Sequence, residues 1–381
     1  MQELEATFSL ASNAIHMDDR YAGPDVAPAM HPSTTLRYSD DPEKLDPQRT
    51  LSVRNWLKLR PSVILIPSVV ENRHGLVLTK LLRGDALVYA TGLSAIHAYL
   101  VRLGPKKVAI GGGYHGTHAV LDIHHRLTGV VKVGLDELDQ LEPGDVIHLE
   151  TPLNPTGEAR NIFAYSQIAK EKGLYLVIDS TFGPPALQDP FLWGADIVIH
   201  SGTKFIGGHS DIMCGILAVK RKDLFMGLWE DRCALGNLLG GFESWLGLRS
   251  LRTLDVRCRT QSNNCTAIDK EPNEINSTVE NITHASLQSA DMDWLAKQMP
   301  NGFGPVFSLT MKTEKYAQWL PSKLRIFQHA TSLGGVESLV EWRKMSDHSA
   351  PGDILRLSVG IETLEDLQKD LSNGFKALLE G

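Results

Sequence analysis

Short β-branched apolar runs alternate with stretches of helical periodicity between residues 86 and 218, and this alternation constrains the fold more than any other feature of the chain. Four runs have the length and composition of strands, at 108–110, 146–149, 176–178 and 197–199. Helices are predicted between them, at 93–102 and 164–172. The pattern is typical of an α/β protein with a mostly parallel sheet covered by helices, whose ligands bind at the carboxyl ends of the strands.

Lys204 and Asp179 follow two of these runs and suggest a cofactor. Lys204 is surrounded by small, hydroxylated and glycine residues, a setting that suits an amine held near a phosphate and partly desolvated. A lysine for the aldehyde and a carboxylate such as Asp179 for the pyridinium nitrogen are the two protein groups that pyridoxal 5'-phosphate (PLP) chemistry needs. Taken alone, the pair is equally compatible with a buried aspartate at a strand end and an unrelated surface lysine.

Four further features fit this cofactor, although each has a plainer interpretation. Gly92 joins a strand to a helix, where backbone N–H groups bind anions, but it also suits an ordinary turn. Ser201 and Thr203 suit the same phosphate, or are ordinary loop hydroxyls. Tyr114 follows three glycines and suits stacking on a flat ring, or is a half-buried loop tyrosine. Asn154 suits the cofactor's phenolic oxygen, although Asn-Pro is also a common turn.

Charge and cysteine content narrow the function classes. A formal net charge of −7 argues against a surface for nucleic acid or anionic membrane. The four cysteines form no CxxC pair and no cluster with zinc spacing, so we expect free thiols in a reducing compartment and no metal site. No run of about 18 apolar residues occurs, and residues 1–10 lack the pattern of a secretory signal. A cytoplasmic location is therefore expected.

A chain of 381 residues is long enough for two domains. Residues 1–50 are predicted to form an extended N-terminal arm, residues 51–240 a large cofactor-binding domain, and residues 241–381 a linker helix with a C-terminal domain. The linker helix is predicted to run from about 241 to 267, and a polar surface loop is predicted at 264–289. Further elements are predicted near the C-terminus, with strands at 305–311 and 354–359 and helices at about 313–320 and 364–380.

The motifs occur in an order and spacing that resemble the Cys/Met-metabolism PLP enzymes, the trans-sulfuration family of cystathionine γ-lyase, γ-synthase and β-lyase and of methionine γ-lyase. The matching segments are 89–95, 150–156, 179–182, 194–196, 201–204, 208–211, 332–338 and 356–362. The resemblance extends from about residue 86 to 375, and the motif sequences are most similar to those of the fungal branch. It implies the PLP-dependent transferase fold type I, aspartate-aminotransferase-like, with a mostly parallel sheet in the large domain and a smaller α/β C-terminal domain.

The resemblance also implies roles for individual residues. Lys204, Tyr114 and Asp179 would be catalytic: Lys204 bonds the cofactor aldehyde and moves protons, Tyr114 stacks on the ring and acts as acid and base near the leaving group, and Asp179 pairs with the ring nitrogen. Arg356 would clamp the substrate α-carboxylate, assisted by Ser332. The cofactor, PLP, would be held by Gly92, Leu93, Tyr114, Asn154, Asp179, Thr181, Ser201, Thr203 and Lys204.

Two departures from the family are visible. Its Tyr-Ser-Arg-x-x-Asn-Pro-type segment, which reaches the phosphate of the neighbouring subunit, has no match at 54–75, where only Arg60 or Arg73 offers a substitute. Either this branch binds phosphate differently, or cofactor binding and assembly are weakened. Thr331 stands where several cystathionine-handling relatives have an acidic residue, which leaves the substrate open.

The resemblance implies a PLP-dependent C–S lyase that acts on cystathionine or a related sulfur amino acid by α-proton abstraction and then β- or γ-elimination. The alternatives are γ-replacement on an activated homoserine, as in cystathionine γ-synthase, and a non-catalytic homologue with weak PLP binding. The family is typically a tetramer built from dimers, so a homo-oligomer is expected. The expected partner is a small amino-acid substrate, with no nucleic acid and no membrane.

Overall fold

A seven-stranded sheet forms the centre of the larger part of the molecule. The computed structural model describes residues 9–19, 27, 30, 41–44, 69–268 and 277–380. The strands of the sheet are β1 (Asp85–Tyr89), β2 (Lys107–Ile110), β3 (Val131–Val133), β4 (Val146–Glu150), β5 (Tyr175–Asp179), β6 (Ile197–Ser201) and β7 (Gly215–Val219). Their order is β1-β7-β6-β5-β4-β2-β3. Only β7 runs antiparallel to its neighbours, so the expected mostly parallel sheet is confirmed.

The strands of this sheet read as continuous apolar runs because both faces are covered. In β5, Val177 packs into one cluster of buried side chains, whereas Leu176 and Ile178 pack into another on the opposite face. The described helices of this part are α1 (Leu10–His16), α2 (Val69–Leu82), α3 (Gly92–Leu103), α4 (His115–Thr128), α5 (Ile162–Lys172) and α6 (Lys222–Leu235). None of the described helices of the chain is long and apolar enough to cross a membrane.

A second sheet of five strands lies in the C-terminal part. Its strands are β8 (Val279–Thr283), β9 (Val306–Met311), β10 (Gln328–His329), β11 (Leu339–Trp342) and β12 (Ile354–Ser358), in the order β10-β11-β12-β9-β8. The described helices here are α7 (Gly241–Leu251), α8 (Leu254–Ile268), α9 (Met292–Gln298), α10 (Glu314–Trp319) and α11 (Leu364–Leu379). The apolar stripe of α11 packs on the sheet through Leu367, Leu371, Phe375 and Leu378, as its sequence period indicates.

The prediction of one linker helix from 241 to 267 is wrong, because α7 and α8 are separate. The carbonyl of Ser250, at the end of α7, accepts the backbone N–H of Thr253 at 3.2 Å and the Arg257 guanidinium at 3.0 Å. These bonds take the place of a regular helical bond, and the chain turns. Side chains that compete for one carbonyl leave no trace in hydrophobic periodicity.

Two other expectations are corrected in part. The polar segment 264–289 is not all loop, because α8 continues to residue 268 and β8 follows at 279–283, where pairing with β9 satisfies its backbone. The arm is not wholly extended, because Ser9 caps the helix α1 by accepting the N–H of Ser12. Most of residues 1–50 lie outside the described residues, and the domain boundaries at 50 and 240 stay predictions.

Candidate active site

The candidate site lies at the carboxyl edge of the seven-stranded sheet, where three polar side chains end neighbouring strands. Glu150, Asp179 and Ser201 are the last residues of β4, β5 and β6, and Glu150 pairs in register with Asp179. Because these strands are parallel, their carboxyl ends meet at one edge. Thr181 links two of them, since its hydroxyl donates to Asp179 Oδ1 at 2.5 Å and accepts the Ser201 N–H at 2.9 Å.

Asp179 is buried, and its two carboxylate oxygens differ. Oδ1 accepts both the backbone N–H and the hydroxyl of Thr181, whereas Oδ2 has no hydrogen-bond partner in the part of the chain that the structure describes. Burial raises the pKa of Asp179, and the Thr181 bonds act in the opposite direction. A buried carboxylate with one open oxygen suits a positively charged ring N–H.

Lys204, three residues beyond β6, donates from Nζ to Ser332 Oγ at 2.6 Å. Burial, and then the nearby Arg356 charge, lower the pKa of Lys204 to about 8, while Glu341 acts in the opposite direction. About a tenth of the amine is therefore neutral and nucleophilic at pH 7, far more than for a lysine in water. The loop that holds Ser332 lies against the Lys204 backbone, because a Cβ on Gly334 would lie 2.8 Å from the carbonyl carbon of Lys204.

The start of α3 lies next to Ser201. Thr91 caps the helix by accepting the N–H of Ser94, and a Cβ on Gly92 would lie 3.3 Å from the Ser201 Cβ. The N–H groups of Gly92 and Leu93 belong to the first helical turn, where no helical carbonyl reaches them. These N–H groups and the Ser201 hydroxyl make a local anion site of the kind that phosphate needs.

Thr203, a predicted phosphate ligand, makes its hydrogen bonds with the Cys214 backbone. Its hydroxyl accepts the backbone N–H of Cys214 at 3.1 Å and lies 3.4 Å from the Cys214 carbonyl oxygen. These contacts join the lysine loop to the start of β7. The hydroxyl keeps a further lone pair but has no free proton to offer in this arrangement.

Tyr114 stands at the mouth of the site, with 39% of its surface exposed. It directly precedes α4, and its backbone N–H donates to Glu150 Oε2 at 2.8 Å. The other oxygen of Glu150 accepts the Asn154 N–H at 2.7 Å. One carboxylate thus holds the backbones of two predicted site residues, although no role was predicted for Glu150.

Arg356, on β12 of the second sheet, joins the site from the other side and is 6% exposed. Its Nη1 donates to Asn154 Oδ1 at 3.1 Å, and its Nη2 donates to the Ser332 carbonyl at 2.9 Å. The Glu341 carboxylate lies 2.6 Å from Nη2. Burial lowers the pKa of Arg356 to about 10, against the attraction of Glu341. The structure thus brings Arg356, Asn154, Ser332 and Lys204 together, as the sequence predicted.

Glu341 is a buried group that sequence analysis missed. It faces Arg356 in the antiparallel register of β11 and β12, and its Oε2 also pairs with Arg343 Nη1 at 2.6 Å. A single carboxylate between two guanidinium groups offsets much of their charge in the interior. The signal that could have found it is a lone glutamate in an otherwise apolar strand, opposite a predicted functional arginine.

Two arginines, Arg60 and Arg73, are the suggested substitutes for the missing phosphate segment. Arg60 lies outside the described residues. Arg73 is buried, and its Nε and Nη2 donate to Asp18 Oδ2 at 3.0 and 2.5 Å, so it anchors the residues after α1. The suggestion that Arg73 replaces the family arginine is therefore wrong, because its charge is already paired. Thr331 is exposed beside Ser332.

The donor set fits PLP. Lys204 offers a partly desolvated amine to an aldehyde, Asp179 offers an open carboxylate oxygen to a ring nitrogen, and the start of α3 offers N–H groups to a phosphate. A mostly parallel α/β sheet with these groups at its carboxyl edge is the arrangement of a fold type I PLP-dependent enzyme. The sequence model of the family of Cys/Met metabolism PLP-dependent enzymes matches residues 75–376, and the chain belongs to that family.

Similar proteins include lyases and a synthase. The chain is 33% identical to the cystathionine beta-lyase of Lactococcus lactis subsp. cremoris (strain MG1363) over 312 residues, 77% of this chain and 82% of that protein. It is 31% identical to the cystathionine gamma-lyase of Bacillus subtilis (strain 168) over 79% of this chain and 84% of that protein. The crystal structure of cystathionine gamma synthase from Xanthomonas oryzae pv. oryzae, in complex with aminoacrylate and cysteine, superposes with a TM-score of 0.85 at 27% identity, covering 98% of this chain and 99% of that one.

These findings confirm the predicted family, the fold type I architecture and PLP as the cofactor. The family consists of enzymes, so the chain is a PLP-dependent enzyme and a non-catalytic role is set aside. At family level the chemistry is trans-sulfuration. The role of each site residue stays a prediction.

Proposed function

We propose that the chain is a carbon–sulfur lyase that cleaves cystathionine or a related sulfur amino acid. The observation that carries the proposal is the junction at Ser332. Its hydroxyl accepts from the Lys204 amine, and its carbonyl accepts from the Arg356 guanidinium. A group suited to proton transfer and a group suited to binding a carboxylate therefore contact the same residue, and an α-amino acid needs both groups close together.

Arg356 binds and orients the substrate. Its five N–H donors exceed the contacts it makes with Asn154, Ser332 and Glu341 in the described structure, so donors remain for a carboxylate. A guanidinium holds a carboxylate in a fixed geometry, which places the α-carbon. Burial of Arg356 strengthens the interaction, since water competes less for the charge.

Lys204 moves the proton. With its pKa near 8, the neutral amine removes the α-proton, and the resulting ammonium returns a proton later in the reaction. PLP, when bound, supplies the electron sink that stabilises negative charge at the α-carbon. Tyr114 is partly exposed, and its phenol would protonate the departing sulfur.

Replacement at the γ-carbon is the second candidate. The similarity to the Xanthomonas oryzae gamma synthase over nearly the whole chain favours it. Thr331 does not separate the two candidates, because cystathionine carries its distal ammonium as the substrate of the lyase and as the product of the synthase. In this reaction an activated homoserine loses its ester group and a cysteine thiol takes its place, with the same residues in the same roles.

A product assay separates the two candidates. Purified holoenzyme is given either L-cystathionine alone or an acyl-homoserine with L-cysteine. The lyase proposal expects a thiol amino acid, ammonia and a keto acid from the first mixture. If cystathionine forms in the second mixture and no keto acid forms in the first, the lyase proposal is wrong and the synthase proposal is supported.

We also propose a homo-oligomer in a reducing compartment such as the cytoplasm. The family resemblance supports the oligomer. The cysteines support the compartment, because all four are free thiols and Cys214, Cys258 and Cys265 are buried. Light scattering in solution tests the oligomer, and a monomer at micromolar concentration would refute it.

A further inference from the structure

Glu150 has no part in the steps above, yet its contacts reach the groups that have one. It is the residue in register with Asp179 across β4 and β5. Its Oε2 accepts the Tyr114 N–H at 2.8 Å, and its Oε1 accepts the Asn154 N–H at 2.7 Å. Each oxygen thus binds a different loop.

The Tyr114 loop is built to approach this carboxylate closely. A Cβ on Gly113 would lie 2.3 Å from Glu150 Oε2, and Gly113 has a φ of 138°. A side chain here would force either the loop or the end of the Glu150 side chain to move, and the backbone conformation itself favours glycine. Glycine at this position thus allows the close contact between the Tyr114 loop and Glu150.

The second contact continues to the substrate side. Asn154, whose backbone donates to Glu150, accepts Arg356 Nη1 with its side-chain oxygen. A single carboxylate thus fixes the loop of Tyr114, the loop of Asn154 and, through Asn154, one side of the Arg356 guanidinium. No other described carboxylate touches both loops.

We propose that Glu150 is a positioning residue for the reaction, which sets Tyr114 and the Asn154–Arg356 pair in fixed relation to Asp179. This inference rests on the proposed function, since it takes Arg356 as the group that binds the substrate carboxylate. The requirement is for two acceptor oxygens. A glutamine side chain has one acceptor oxygen and one NH₂ donor, so it cannot accept a hydrogen bond from both backbone N–H groups. One backbone N–H would then face the NH₂ group, and neither could accept from the other.

The experiment compares Glu150→Gln and Glu150→Asp with Glu171→Gln, an exposed position on α5 that contacts none of these residues. The main readout is the ratio of kcat/KM for L-cystathionine to that for its analogue with an α-carboxamide. This ratio does not depend on the fraction of folded enzyme. We expect Glu150→Gln to lower it about tenfold, because Arg356 discriminates less well when Asn154 is loosened. Glu150→Asp keeps two acceptors and should recover part of the ratio.

A second readout needs no turnover. PLP is titrated into the apo forms, and the Kd is read from the cofactor absorbance. Glu150→Gln should bind PLP several-fold more weakly, because the Tyr114 ring is no longer held in place, and Glu171→Gln should match the wild type.

An unchanged ratio and an unchanged PLP affinity in Glu150→Gln would overturn the inference. A fall in thermal stability with an unchanged ratio would overturn it as well, since Glu150 would then be structural only. If the wild type itself does not cleave cystathionine, the proposed lyase fails, and the PLP titration still decides whether Glu150 positions the cofactor side.

Discussion

The cofactor side and the substrate side of the candidate site are stabilised by different interactions. On the cofactor side, at the edge of the first sheet, Asp179 is held by the neutral hydroxyl and backbone of Thr181, two positions away. On the substrate side, in the second sheet, Arg356 pairs with the Glu341 carboxylate, which also pairs with Arg343. The first arrangement depends on local sequence, and the second depends on strand pairing and on a balance of buried charge. Loss of one partner should therefore cost little on the cofactor side and much on the substrate side.

The largest effect is expected at Lys204, which follows β6 on the cofactor side and contacts Ser332 on the substrate side. Lys204→Ala removes the amine that bonds PLP and moves the α-proton, so we expect turnover to fall by at least about 10³-fold. The visible absorbance of lysine-bound PLP, at roughly 420 nm, should disappear as well. Absorbance spectra and steady-state rates of the variant and the wild type measure both. A variant that kept the band would show that another lysine binds the cofactor.

Loss of the central carboxylate on the substrate side should be the next largest effect. Glu341→Gln leaves the Arg356 and Arg343 charges uncompensated in the interior and should lower the free energy of unfolding by about 3 kcal/mol. The matched control is Glu314→Gln. Glu314 pairs with Lys344 at 3.1 Å on the surface, so this change should cost less than about 1 kcal/mol. Denaturant unfolding measures both, and equal costs would erase the contrast between the two sides.

The pH dependence of cofactor capture tests whether the two sides influence each other. With the pKa of Lys204 lowered to about 8, its neutral fraction rises as pH rises through that value. The rate at which apo protein bonds PLP should thus increase about tenfold between pH 7 and 9. In Arg356→Gln the midpoint should move to higher pH, because a positive charge that lowers the pKa of Lys204 is gone. A midpoint that did not move would mean that the two sides are electrically independent.

The smallest effect is expected on the cofactor side. Thr181→Val removes the hydroxyl that donates to Asp179 and accepts from Ser201, while the backbone N–H bond to Asp179 stays. PLP affinity should fall by a factor of roughly 5–10, which corresponds to a total loss of about 1 kcal/mol. Equilibrium titration of the apo protein measures it. A loss of PLP affinity of a hundredfold or more would contradict the expectation that the cofactor side is less sensitive than the substrate side to the loss of one partner.

The same contrast explains what the sequence could predict. Lys204 and Asp179 were found because a strand-like run directly precedes each of them, and Gly92 because a strand-to-helix junction has a recognisable composition. Arg356 was found only by family resemblance, since its partners Asn154 and Ser332 lie far away in sequence.

Glu150 and Glu341 were missed for a related reason. Glu341 acts through pairing across strands and Glu150 through two loop N–H groups, and periodicity reports neither. The break between α7 and α8 was missed because it depends on side chains that compete for the carbonyl of Ser250. The pairing of Arg73 with Asp18 is equally non-local.

The hydrogen bond from Arg356 to Asn154 joins residues 202 positions apart, and this separation bears on how the enzyme is made. The ribosome completes the first sheet when β7 emerges, whereas Arg356 follows about 140 residues later, a delay of roughly 7–30 s at ordinary rates of synthesis. During that interval the growing chain already carries Lys204 but not Arg356, the residue proposed to bind the substrate carboxylate. Specificity is therefore the last property that a newly made molecule acquires, and a truncated chain would retain an amine able to react with aldehydes indiscriminately.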